Sequence, residues 1–134
     1  MKKSTQEYKA ANKAFMRNIS KQEGVNLLDK GVYYKVIKCG ESQISPSINE
    51  VVSVHYTGRF IDGREFDSSR ENSYPATFRV REVIEGWQIA LVNMKIGDIW
   101  EIYIPSEMGY GDKASSGIPG RSSLIFEVEL ITVS

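Results

Sequence analysis

The chain has one cysteine, Cys39, and one histidine, His55, in 134 residues. A single thiol cannot close an internal disulfide, and with no Cys or His at ligand spacing the thiolate zinc sites and imidazole metal sites are excluded by count. A Ser-His-Asp assembly would have to use His55, yet no serine lies in a Gly-x-Ser-x-Gly turn. Glycine-rich phosphate loops are missing too, so nucleotide chemistry has no support. There is also no net charge, since 17 Lys and Arg offset 17 Asp and Glu, and no strong field draws the whole molecule to nucleic acid or an anionic membrane. No apolar run approaches the length of a membrane span. Lys2 and Lys3 are followed by a run from Ser4 to Lys9 without the apolar core of a signal peptide. The expectation is a soluble cytoplasmic protein with no metal, nucleic-acid or membrane partner.

What is present fills one domain: hydrophobic residues make up 41% of the chain and aromatic ones 10%, enough for one core. Charge is unevenly spread, with residues 1–23 net positive by four and the remainder net negative by four. Over residues 4–20, Tyr8, Ala11, Phe15 and Ile19 form an apolar stripe on a basic helix. Two dispositions follow for it, packing on its own domain or pairing with a second copy; the stripe is too narrow for a good membrane anchor. Residues 24–31 read as a connector, giving an N-terminal segment 1–30 and a main body 31–134.

In the main body the period becomes that of strands. Val32–Lys38, Val51–Phe60, Arg64–Asp67, Thr77–Val80, Ile99–Ile104 and Leu124–Val133 are rich in branched and aromatic residues, and Asp62-Gly63 supplies a hairpin turn. Helical spacing returns once, at Ile84, Trp87, Leu91 and Met94, with Gly97 as a stop signal. The sum is α+β, an antiparallel sheet bent around one short helix.

With ionisable catalysts scarce, His55 reads as a half-buried strand residue with one hydrogen bond. The unusual feature is the supply of aromatic and branched side chains near turns and element ends: Tyr56, Phe66, Phe78, Val83, Ile84 and Trp87, then Tyr110, Ile118 and Phe126. Singly, each fits a core. The segment from Gly109 to Ser123 is harder to explain as scaffolding, because long irregular loops in small domains usually serve function.

Five motifs occur in an order that resembles the FKBP-type peptidyl-prolyl isomerases, the macrolide-binding immunophilins. They are Val54-His-Tyr-Thr-Gly, Gly63-Arg-Glu-Phe-Asp-Ser-Ser, Glu82-Val-Ile-Glu-Gly-Trp, Met108-Gly-Tyr-Gly and Leu124-Ile-Phe-Glu-Val-Glu-Leu, spread from about Gly31 to Ser134. The resemblance implies a half-barrel sheet with Trp87 as the floor of a proline pocket and Tyr56, Phe66, Phe78, Val83 and Phe126 as its walls. It further implies that the Ile84 N–H and the Tyr110 hydroxyl donate to a substrate carbonyl, that Asp67 is the carboxylate at the pocket edge, and that Ile118 covers the rim. Asp67 and Tyr110 take orienting and electrostatic roles, not proton transfer.

The chain departs from the family pattern at Ala76, where many members carry a second aromatic, in a short segment between Val80 and Glu82, and in Ile118-Pro119-Gly120 in place of Ile-Pro-Pro. These changes bear on macrolide affinity and substrate preference. The implied activity is rotation of X–Pro bonds in proline-containing peptides and unfolded chains, without a cofactor, by a monomer or a weak homodimer joined through the N-terminal helix. A second reading uses the same pocket as a non-catalytic, chaperone-like peptide-binding module.

Overall fold

The computed structural model describes residues 5–70, 72–115 and 117–134. Ser4, where the sequence pattern starts the helix, and Lys2 and Lys3 lie outside the described residues. The first helix, α1, runs Thr5–Ile19, and the second, α2, runs Glu85–Leu91. Among the described residues seven strands accompany them: β1 (Val25–Leu27), β2 (Tyr33–Lys38), β3 (Val51–Arg59), β4 (Glu65–Ser68), β5 (Ala76–Arg79), β6 (Ile99–Ile104) and β7 (Leu124–Val133). All pairings are antiparallel, in the order β1-β2-β6-β7-β3, with β4 and β5 sharing the far side of β3. The architecture is the expected α+β half-barrel, an open sheet packed around one short helix.

β-branched and aromatic residues favour strands because they fit a pleated, half-buried surface. The β3–β7 ladder shows this most clearly, running from Val52 opposite Val133 to Arg59 opposite Ile125. Successive side chains on a strand point to opposite faces. Thus Val52 and Val54 of β3, Phe126, Val128 and Leu130 of β7, and Trp100, Ile102 and Ile104 of β6 meet in one buried layer. Trp87, Ala90, Leu91 and Met94 complete that core from the helical side. Tyr34 extends it to β2 by stacking on Trp100 with ring centroids 4.2 Å apart.

The turn at Asp62-Gly63 is where the sequence puts it: Gly63 has φ +90°, and the Phe60 N–H donates to the Arg64 carbonyl at 2.9 Å. The expected strand beginning at Arg64 begins one residue later. Residues 24–31 differ more from expectation, because Val25–Leu27 is not a bare connector but pairs with Tyr33–Lys35. Three residues carry too little period to announce a strand.

α1 packs on its own chain. Its buried Asn12 accepts a hydrogen bond from the Ser123 N–H through Oδ1 (2.8 Å) and donates to the Tyr8 carbonyl through Nδ2 (2.8 Å). The Tyr8 hydroxyl lies 2.6 Å from that of Ser122, which donates to the Pro119 carbonyl. The helix is therefore fastened to the far end of the long loop from Gly109 to Ser123.

α2 approaches the sheet so closely that a side chain at Gly86 has no room: a Cβ there would stand 2.6 Å from Ile104 Cγ2. Alanine at an exposed helical position would be favoured over glycine by about 1 kcal/mol. Overpacking reverses that sign, so Gly86→Ala is expected to destabilise the fold by about 1–3 kcal/mol in urea unfolding. A more stable variant would show that helix and sheet separate easily.

Candidate functional site

Between α2 and the β3–β5 side of the sheet lies an open cavity of about 300 Å³. Its lining combines aromatic walls, two aliphatic residues and three polar groups: Tyr56, Phe78, Trp87 and Phe126; Val83 and Ile84; and Asp67, Glu82 and Tyr110. These residues come from several parts of the fold. β3 carries Tyr56 and β4 carries Asp67, held across from Gly58 by register. β5 brings Phe78 opposite Val52, and β7 brings Phe126 opposite Gly58. The start of α2 provides Ile84 and Trp87.

Trp87, 4% exposed, is the ring that the others surround. Tyr56, Phe126 and Phe78 meet it edge to face at centroid distances of 5.1, 5.3 and 5.7 Å. Such pairs add roughly 0.5–1.5 kcal/mol each beyond the area they bury, which fixes the wall geometry as well as filling space. The indole N–H of Trp87 is the one buried side-chain polar atom among the described residues without a hydrogen-bond partner.

Two devices hold the polar edge. The Tyr56 hydroxyl donates to Asp67 Oδ2 at 2.7 Å, while Ser69 grips the backbone of Tyr56 from the end of β4, its hydroxyl accepting the Tyr56 N–H at 2.7 Å and its N–H donating to the Tyr56 carbonyl at 2.9 Å. At the other wall, Gln88 Nε2 donates to the Val83 carbonyl at 2.8 Å and the Arg81 carbonyl at 3.2 Å, bracing the chain that leads into α2. Ile84 sits at the N-cap with extended ψ, and its carbonyl accepts from Trp87 and Gln88. Its own N–H donates to no acceptor among the described residues.

Burial first, and then the hydrogen bond and charge of Asp67, push the Tyr56 phenol above its ordinary value. Burial and the Asp67 charge raise Tyr110 as well. Both phenols, protonated at neutral pH as any tyrosine is, keep their protons to a higher pH than a free tyrosine. Tyr110 itself is 41% exposed and stands at the mouth on the loop after β6.

Eight of the ten residues singled out from the sequence are brought together here. The structure places the other two elsewhere. Phe66 stands behind Phe126, with rings 5.6 Å apart at 81°, and packs on Phe60 at 4.8 Å; it supports a wall without lining the cavity. Ile118 is 5% exposed and part of the core, turned inward by the backbone bridge to Ser115, whose N–H donates to the Ile118 carbonyl at 2.9 Å. It is not among the residues that line the cavity. Glu82 was not foreseen; it precedes Val83 directly, and its carboxylate lies 3.4 Å from Arg79 Nε. His55 is half-buried, with Nδ1 3.1 Å from the Ser69 hydroxyl, and no cluster among the described residues could hold a metal ion.

Comparison with known proteins adds the following. The family model for FKBP-type peptidyl-prolyl cis-trans isomerase matches residues 42–131, and one for the domain amino terminal to FKBP-type peptidyl-prolyl isomerase matches residues 1–36. The chain is 46% identical over 123 residues to the peptidyl-prolyl cis-trans isomerase Mip of Coxiella burnetii, covering 91% of this chain and 53% of that protein. It is 45% identical over 120 residues to the FKBP-type 22 kDa peptidyl-prolyl cis-trans isomerase of Escherichia coli, covering 89% and 58%. It thus spans little more than half the length of these relatives. A crystal structure of a peptidyl-prolyl cis-trans isomerase from Pseudomonas syringae superposes with a TM-score of 0.90 at 36% identity, covering 100% of this chain and 98% of the other.

The tyrosines carry a pH dependence. Because Tyr56 has a higher pKa folded than the value of about 10 expected unfolded, the unfolded chain releases this proton first. The associated stability is complete below about pH 10 and falls as the pH climbs towards the folded value. Tyr103, raised by burial and its bond to Glu101, acts in the same direction. Urea unfolding is expected to show a steeper loss between about pH 10 and 11 in the native chain than in Tyr56→Phe; equal slopes would refute the coupling.

Proposed function

Given that the chain belongs to the FKBP-type peptidyl-prolyl cis-trans isomerase family, we propose that it accelerates rotation about X–Pro bonds in the Trp87 cavity. The observation that carries this reading is a small aromatic cavity beside a backbone N–H, that of Ile84, with no acceptor of its own. Rotation of a peptide bond meets a barrier of about 18–20 kcal/mol because amide resonance must be broken, but no covalent bond changes. A site without nucleophile or metal is chemically sufficient.

A twisted amide has lost its resonance, so its carbonyl is less polar than in the planar form. An apolar cavity removes water from the planar, dipolar ground state and favours the twisted form differentially. Trp87 and its three edge-on partners hold the proline ring while the carbonyl turns. The Ile84 N–H and the Tyr110 hydroxyl donate to substrate carbonyls, and Asp67, oriented by Tyr56, faces the reacting amide. An acceleration of ~10⁵ corresponds to roughly 7 kcal/mol of such preference. Phe66 acts through Phe126, as the ring that keeps that wall upright. Glu82 lies at the mouth and acts on the residues flanking proline.

The finer partners belong to the same proposal. Proline-containing peptides and unfolded chains are its substrates, and macrolides would compete for the same cavity, with affinity lowered by Ala76, which offers a methyl where many members have a ring. Pairing of chains through α1 is limited by the use of Tyr8 and Asn12 in the chain's own contacts. A cytoplasmic location belongs to the same proposal, and the single cysteine, Cys39, is compatible with a reducing compartment.

Exchange spectroscopy on a short Leu–Pro peptide tests the activity. The native chain is expected to accelerate exchange and Asp67→Ala to lower kcat/KM by about 10–100-fold while staying folded, the range for loss of a charge-assisted hydrogen bond of roughly 1.5–3 kcal/mol. Tyr110→Phe should cost less, about threefold to tenfold, for one neutral donor. If no protein accelerates exchange, the binding-module reading replaces this one.

A further inference from the structure

A second cleft, of about 470 Å³, lies on the other side of the long loop, between α1 and the chain around residues 105–112 and 121–123. Lys9, Lys13 and Arg17 line one wall of it. They recur every four residues along α1, and none forms an ion pair with the described residues. A fourth cation, Arg121, reaches the cleft from the loop, where its backbone adopts φ +67°, an uncommon conformation for a side chain other than glycine. Its Nε is 3.7 Å from Asp112 Oδ1. Packing on its own domain explains the apolar stripe of α1 but not this row of unpaired cations facing a cavity.

From these observations we propose that the cleft binds an extended acidic polypeptide segment, lying along α1. The spacing fits. A helix rises 1.5 Å per residue, so cations four apart stand about 6 Å from one another along the axis. An extended chain presents every second side chain on one face, about 6.6–6.8 Å apart. Carboxylates at alternate positions therefore meet Lys9, Lys13 and Arg17 in turn.

The opposite wall decides between a peptide and a nucleic-acid strand. Glu107 and Asp112 stand there with Ser106, and Met16 and Pro105 provide apolar surface. A peptide backbone brings N–H donors for those carboxylates and side-chain carbon for Met16 and Pro105. A phosphodiester backbone brings only acceptors and would face two carboxylates. The site is separate from the Trp87 cavity, although the same loop supplies Tyr110 to one and Asp112 and Arg121 to the other; the proposal does not rest on isomerase activity.

Fluorescence anisotropy of a dye-labelled, proline-free peptide, Gly-Asp-Ala-Asp-Ala-Asp-Ala-Gly, tests it on the whole chain. The native chain is expected to bind it at least about tenfold more tightly than the all-Asn analogue, with affinity falling steeply as salt screens the charges. The triple variant Lys9→Gln, Lys13→Gln, Arg17→Gln should weaken binding at least about tenfold and Lys13→Gln alone about threefold, with thermal unfolding reporting that each is folded. Equal affinity of native and triple-variant protein, or of Asp and Asn peptides, would overturn the proposal. So would tighter binding of a charge-matched single-stranded oligonucleotide that is lost in the same variants.

Discussion

The structure depends on the contact between α2 and the inner face of the sheet. Gly86 brings the helix backbone against Ile104, and one residue later Trp87 projects into the space bounded by β3, β5 and β7. Closeness at one position permits a large ring at the next. Were the helix displaced by the width of a methyl group, the edge-to-face geometry with Tyr56, Phe78 and Phe126 would be lost together, because all three rings refer to the same indole. The floor of the cavity is thus part of the hydrophobic core, and the stability of the fold and the shape of the site are set by the same contact.

Around this rigid centre the polar groups are few, and Tyr56, Asp67 and Glu82 each have a neighbour that orients them. Asp67 is exposed enough to stay hydrated, yet the Tyr56 hydroxyl fixes one of its oxygens. Tyr56 in turn is fixed by Ser69 through the backbone. This chain of support runs along a strand pair, not through a flexible loop, so the electrostatic edge is positioned as firmly as the aromatic walls. Tyr110 arrives from irregular structure, and that loop is secured at its far end by Asn12 and Tyr8.

The strands β3 and β7 were legible because alternation over nine or ten residues reports a sheet with one buried face, and β2 and β6 through their branched and aromatic content. The start of α2 was legible from helical spacing, although its regular part stops at Leu91 and Met94 joins the core from the following turn. β1 was not: Val-Asn-Leu has no period, and its pairing with Tyr33–Lys35 is a tertiary fact. The site was legible chiefly through motif order, since physics alone gave each aromatic residue a core role. Phe66 and Ile118 show the limit of that order. Sequence tells that a ring or an isoleucine belongs near the pocket, but which layer it occupies is decided by contacts such as the Phe60–Phe66 pair and the Ser115–Ile118 bridge. The fastening of Asn12 to Ser123, 111 residues apart, leaves no local trace at all.

β3 divides its outer side between two partners: Val51 to Val54 pair with β5, and Thr57 to Arg59 pair with β4. Each short ladder fixes its own register against the same long strand. Ser69 belongs to the support of Tyr56, whereas residues 72–75 carry none of the alignment between Phe78 and Asp67, which is inherited from β3. Lengthening the chain at residues 72–75 leaves both side chains where they are, so the surface beside the cavity can diverge, by evolution or by engineering, without rebuilding the cavity itself.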